Sequence, residues 1–136
     1  MSKSVEVLLI EDNSGDVLLI RQALADEPYP ITLRVARDGE QARKMLASRE
    51  FGPDIVILDL SIPKRSGLSL LEQVQPDVPV VVFTSSTSPQ DRQCSFELGV
   101  TEFIHKPTDL RAYSRTVTQM VRNWVPLKEI LASTNS

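Results

Sequence analysis

Short aliphatic runs recur along the chain, separated by longer stretches in which apolar residues return every three or four positions. Five runs predict strands: Val5 to Ile10, Ile31 to Ala36, Asp54 to Leu60, Val78 to Thr84 and Thr101 to His105. Three of them (VLLI, IVIL, VVVF) are almost continuously apolar, as expected of strands with helices on both faces of their sheet. The stretches between predict helices over Ser14 to Asp26, Gly39 to Arg49, Gly67 to Val74, Pro89 to Leu98 and Asp109 to Val125. Boundary residues agree: Pro89 suits a first helical turn, Gly99 can close the fourth helix with positive φ, and Asp109 can cap the fifth. In the fifth helix Leu110, Tyr113, Val117, Met120 and Trp124 draw one apolar stripe expected to pack on the sheet, with Trp124 its member most open to a partner. Cys94 is expected to be a small buried hydrophobe on the fourth helix. Beyond Pro126 the polar ending ASTNS predicts a frayed tail, which divides the chain into one domain over 1–125 and a tail over 126–136, with no output domain.

Strand and helix alternation of this kind builds βαβ units, and right-handed crossovers leave few topologies for five parallel strands. The expected architecture is a single three-layer α/β domain of the flavodoxin-like type, strand order 2-1-3-4-5, with five helices. Ligands of such sheets bind beyond the carboxyl ends of the strands, so the residues following each apolar run are where chemistry is expected.

Composition narrows the function classes. At 136 residues there is room for one domain, and 41% hydrophobic with 24% charged residues is that of a folded globular chain. A formal charge of −3 offers no basic footprint for nucleic acid. The opening MSKSVEVLLIEDNS has only a short apolar run interrupted by Glu6, so neither signal peptide nor membrane anchor is expected and a cytoplasmic location is the default. Cys94 is the only cysteine and His105 the only histidine, which rules out an internal disulfide and a zinc site and leaves oxygen as the ligand for any metal.

The strand ends, read in order, carry Glu11 and Asp12, then Asp59, Thr84 and Lys106. The topology brings these to one edge of the sheet. Like charges at 4 Å repel by about 4 kcal/mol at an effective dielectric near 20, so three gathered carboxylates call for a cation, and oxygen ligands select Mg²⁺ or a relative. Beside such a cation Asp59 can attack phosphorus, with Lys106 offsetting charge on the phosphoryl oxygens and the Thr84 hydroxyl donating to one of them.

The segments VLLIEDN, DIVILDLSIPKRSG (with Asp59, Pro63 and Gly67), VVVFTSS and FIHKP, in this order and spacing, resemble the response-regulator receiver domain of two-component signalling from about Val5 to Trp124. The resemblance implies Glu11, Asp12, Asp59 and the Ser61 backbone carbonyl as Mg²⁺ ligands, and Asp59 as the phosphoacceptor. It further implies Lys106 as phosphoryl counter-charge, Thr84 as switch hydroxyl, Phe103 as switch aromatic and a cis Lys106-Pro107 bond. DNSGDVLLIRQAL and HKPTDLRAYSRTVTQMVRNW resemble more particularly the small stand-alone receivers that partner phytochrome-type histidine kinases.

The function so implied is that of a signalling protein and not an enzyme beyond acting on itself. It would accept a phosphoryl group from a sensor histidine kinase or phosphotransfer protein and signal through association. A homodimer through the fourth helix, fifth strand and fifth helix is the expected output. The alternative is a receiver-like scaffold that is never phosphorylated. An aspartate-nucleophile phosphatase is disfavoured because Ser61 stands where its general acid would be, and a flavin or dinucleotide carrier because EDNSGD presents negative charge to a phosphate.

Overall fold

Five parallel strands in the order β2-β1-β3-β4-β5 form the centre of a computed structural model that describes residues 4–48, 52–62, 66–74 and 77–132. The elements run β1 (Val5–Ile10), α1 (Ser14–Ala25), β2 (Ile31–Ala36), α2 (Gly39–Ala47), β3 (Ile55–Leu58), α3 (Gly67–Val74), β4 (Val80–Thr84), α4 (Pro89–Glu97), β5 (Glu102–His105), α5 (Leu110–Trp124) and α6 (Leu127–Ala132). The expected order, layers and first five helices are all present, with strand and helix ends shifted by a residue or two. Pro63 and Arg49 lie outside the described residues.

Alternate residues of the central strands feed two cores. Val5, Val7, Leu9, Ile55, Ile57, Val81 and Phe83 face α1 and α5, while Leu8, Ile10, Val56, Leu58, Val80 and Val82 face the side covered by α2 and α3. Both sets are buried, which is why the runs read as continuously apolar; each such side chain contributes about 1.5–3 kcal/mol by leaving water. Side-chain caps start the helices: Asn13 accepts from the Asp16 N–H, Asp38 from Gln41, Ser88 from Asp91 and Asp109 from Ala112. Gly99 has φ of 90°, so the turn after α4 uses the left-handed region that favours glycine.

Three expectations give way to tertiary structure. Cys94 is exposed, because α4 turns Ser95 inward instead, its Oγ donating back to the Asp91 carbonyl at 2.7 Å. Leu110 is 66% exposed, whereas the rest of the α5 face (Tyr113, Val117, Met120, with Val121) is buried; Leu110 sits in the first turn, at the edge where the strands have already ended. Finally, the expected tail over 126–136 begins with a helix. In α6 the Glu129 and Ile130 N–H groups donate to the Pro126 carbonyl at 3.1 Å, and Leu127 and Ile130 pack on the α1/α5 core. The polar ASTNS ending masked the spacing of Leu127 and Ile130, which is that of one helix face.

Candidate functional site

Main-chain pairing continues just past the strands and fixes what stands at their carboxyl ends. The Glu11 N–H donates to the Ala36 carbonyl at 2.9 Å, Asp59 to Ile10 at 3.0 Å and Lys106 to Thr84 at 2.8 Å. Glu11, Asp59 and Lys106 thereby stand at one edge, in register with Thr84, the last residue of β4.

Their side chains converge. The Lys106 Nζ donates to Glu11 Oε1 at 2.6 Å and to Asp59 Oδ2 at 3.0 Å, while Asp59 Oδ1 accepts from the Thr84 hydroxyl at 3.0 Å and the Ser61 N–H at 3.1 Å. All four side chains are buried. A fifth group, absent from the sequence reading, completes the cluster: Asp16 in the first turn of α1 places Oδ2 at 3.2 Å from Lys106 Nζ and accepts the Tyr113 hydroxyl on Oδ1 at 2.6 Å. The signal for it was an acid one helical turn beyond Asp12, in the turn that follows β1 onto the same edge.

One ammonium among three carboxylates leaves the cluster negative, and the acids divide that burden unequally. Burial pushes the Asp59 carboxyl up, but the Ser61 N–H, the Lys106 charge and hydrogen bond, and the Thr84 hydroxyl outweigh it and hold the group below the usual carboxylate range. Glu11 has fewer donors. Burial carries its carboxyl up to about 7, against the pull of Lys106 and with a further push from the Asp59 charge. Burial also opposes the charge on Lys106, but Glu11 and Asp59 overcome it and keep the ammonium protonated well above the normal lysine range.

Asp12 and Ser61 are exposed at the rim of this cluster, and the Lys106-Pro107 bond is trans, correcting the expectation of a cis bond. Among the described residues no group of acids or other ligand side chains is arranged to hold a metal ion as it stands, and Lys106 bridges Glu11 and Asp59. The donors at this edge are nonetheless all oxygen, and the excess negative charge is what a hard divalent cation would offset. Glu11 and Asp59 in the cluster, with Asp12 and Ser61 at its rim, are the oxygen-bearing residues at this edge. Phe103 lies apart from the acids on β5, half-buried against the α2/α3 core, its ring centroid 5.9 Å from the Arg92 guanidinium. The arrangement therefore offers an ionised, oriented carboxylate oxygen, an adjacent fixed positive charge and a hydroxyl donor.

Comparison with known proteins identifies relatives of this chain. The profile of the response regulator receiver domain matches residues 7–118. The probable methanogenesis regulatory protein FilR2 of Methanothrix harundinacea is 32% identical over 128 residues, covering 88% of this chain and 83% of the relative. Among solved structures, the phosphorylated cyanobacterial phytochrome response regulator RcpA is 32% identical with a TM-score of 0.80, covering 91% of this chain and 94% of that one. The Mn²⁺-bound response regulator Rcp1 is 28% identical with a TM-score of 0.79, covering 89% and 94%. Some other matched relatives are far longer, and the chain spans as little as 13% of one of them.

Proposed function

Since this chain belongs to the response regulator receiver domain family of two-component signalling, in which phosphoryl acceptance and Mg²⁺ binding are general, we propose that Asp59 accepts a phosphoryl group from a sensor histidine kinase or phosphotransfer protein. The observation that carries this reading is the set of bonds on Asp59: Oδ2 on Lys106, Oδ1 on Thr84 and the Ser61 N–H. A carboxylate so held is ionised and aimed. One of its oxygens attacks phosphorus of the phosphohistidine, the P–N bond breaks, and the imidazole nitrogen leaves with the electron pair. Lys106 offsets charge on the phosphoryl oxygens and Thr84 donates its hydroxyl to one of them. Mg²⁺ held by Glu11, Asp12, Asp59 and the Ser61 carbonyl would supply further charge neutralisation there.

The likeness to the phytochrome response regulator RcpA supports a phytochrome-type kinase as the donor, and we assign the exchange to the cytoplasm. Output is assigned to association, with a second copy of the chain as partner. Phe96 on α4 and Trp124 on α5 are exposed large hydrophobics, and a groove between β5 and α5 lies next to Trp124, bordered by Glu102, Ile104 and Arg115. Phe103, whose ring lies 5.9 Å from the Arg92 guanidinium of α4, is assigned the relay of the change from Thr84 to that face.

Intact-mass measurement after incubation with acetyl phosphate tests the assignment. Wild type is expected to gain one phosphoryl mass only with Mg²⁺ present, and Asp59→Asn to gain none while keeping its circular dichroism. Equal uptake by the Asn variant would overturn it.

A further inference from the structure

Lys106 has a long flexible stem, and its two closest partners, Glu11 and Asp59, are the groups that a cation and an incoming phosphoryl group claim. Asp16 has neither role. It stands on α1, not at a strand end, yet its Oδ2 is 3.2 Å from the Lys106 ammonium. An aspartate in a first helical turn ordinarily turns to water; here the Tyr113 hydroxyl, 2.6 Å from Oδ1, holds it inward.

Tyr113 explains itself by that bond. Its ring is buried and meets Phe83 edge to face, centroids 5.1 Å apart, a packing role that phenylalanine would fill as well. A hydroxyl taken into such a place is costly unless it is bonded, and Asp16 is its bonding partner. Burial and the Asp16 carboxylate both raise the phenol's pKa, so it remains a donor. Phe83 in turn precedes Thr84 on β4, so Tyr113 touches the site through its hydroxyl and the switch strand through its ring.

We propose that Asp16, held by the Tyr113 hydroxyl, is a positioning residue for Lys106, and that the chain Tyr113–Asp16–Lys106 joins α5 directly to the phosphoryl-accepting edge. The inference rests on the function proposed above and deepens it. As Glu11 and Asp59 are engaged, Asp16 is the carboxylate that keeps the ammonium at the edge, where it meets the phosphoryl oxygens. Movement of Lys106 toward those oxygens is felt by Asp16 and then by Tyr113 on α5, the helix whose far end presents Trp124 against Glu102. This route runs on the α1 side of the sheet and is separate from the path through Thr84 and Phe103.

Two measurements on the full chain test it. The first is the ¹⁵N signal of the Lys106 ammonium in lysine-labelled protein without metal or phosphoryl donor. Tyr113→Phe and Asp16→Asn are both expected to shift it, and an unmoved signal in both variants overturns the proposal whatever the protein's phosphorylation behaviour. The second is the rate of uptake from acetyl phosphate with Mg²⁺. Tyr113→Phe, which keeps the ring packing, is expected to slow uptake by roughly three- to ten-fold, well short of losing a direct transition-state donor. Asp16→Asn is expected to slow it further, and the double variant to match Asp16→Asn, since both changes cut one chain. Unchanged rates, or additive losses, would overturn the proposal. Absence of uptake in wild type, with the Lys106 signal still shifted by the variants, would refute the proposed function and leave the positioning of Lys106 standing.

Discussion

Asp59 and Glu11 share one ammonium and similar burial, yet they are set to opposite tendencies by the hydrogen-bond donors around them. Among the described residues Asp59 has three donors, two on Oδ1 and Lys106 on Oδ2, and stays ionised; Glu11 has Lys106 on one oxygen and the Asn13 N–H, at 3.2 Å, on the other. The nucleophile is thus the better satisfied acid. Thr84 and Lys106 then differ from Asp59 in what their loss should do, because neither forms the new bond to phosphorus. Thr84→Ala is expected to leave uptake from acetyl phosphate within a few-fold of wild type, and Lys106→Ala to slow it at least as much as Asp16→Asn without abolishing it. Both variants should lose the phosphorylation-dependent change in association, read by sedimentation of samples whose phosphorylated fraction is matched by intact mass. Loss of uptake in both variants to the level of Asp59→Asn would show that they prepare the nucleophile instead. In the sequence Asp59, Glu11, Thr84 and Lys106 were legible because each ends a strand or directly follows one. Asp16 offered only its place one helical turn beyond Asp12, since its role depends on Tyr113, 97 positions away along the chain.

Among the elements, α3 begins at a glycine with little room to vary. A Cβ on Gly67 would stand 2.9 Å from the Leu60 Cα and 3.2 Å from the Asp59 carbonyl oxygen, and both of these are backbone. Gly67→Ala is therefore expected to cost about 1–3 kcal/mol in urea unfolding and to slow uptake at Asp59, because the segment carrying the nucleophile has to shift. A midpoint and uptake rate equal to wild type would show that the turn gives way freely. At the other end of the chain the comparison is between Ile130 on α6 and Leu110 on α5. Ile130→Ala is expected to cost about 1–2 kcal/mol because the side chain packs on the core, whereas Leu110→Ala should stay within about 0.5 kcal/mol. Reversed costs would mean that α6 is not docked. Periodicity found the five long helices and all the strands, but it counted Leu110 into a stripe and left α6 unread. A stripe shows which residues share a face and not where the neighbouring sheet stops.

For the molecule as a whole, the face built by α4, β5 and α5 is where phosphorylation is expected to be read out. With Mg²⁺ and beryllofluoride the sedimentation coefficient should rise toward that of a dimer at micromolar concentration. Trp124→Ala and Phe103→Ala should blunt the rise, the first at the surface and the second between Thr84 and that surface. Identical sedimentation with and without the phosphoryl mimic would remove self-association as the output. Architecture and the acidic edge were determined by the sequence alone, for a local reason: continuous apolar runs must be buried on both faces, and parallel strands so buried leave their polar followers at one edge; the strand order followed as the commonest of the few that right-handed crossovers allow. The outward Cys94, the docked α6 and the place of Asp16 between Lys106 and Tyr113 were decided only by tertiary structure. Each depends on partners distant in sequence or on which face of a helix meets the sheet, and the order of residues along one segment does not contain that information.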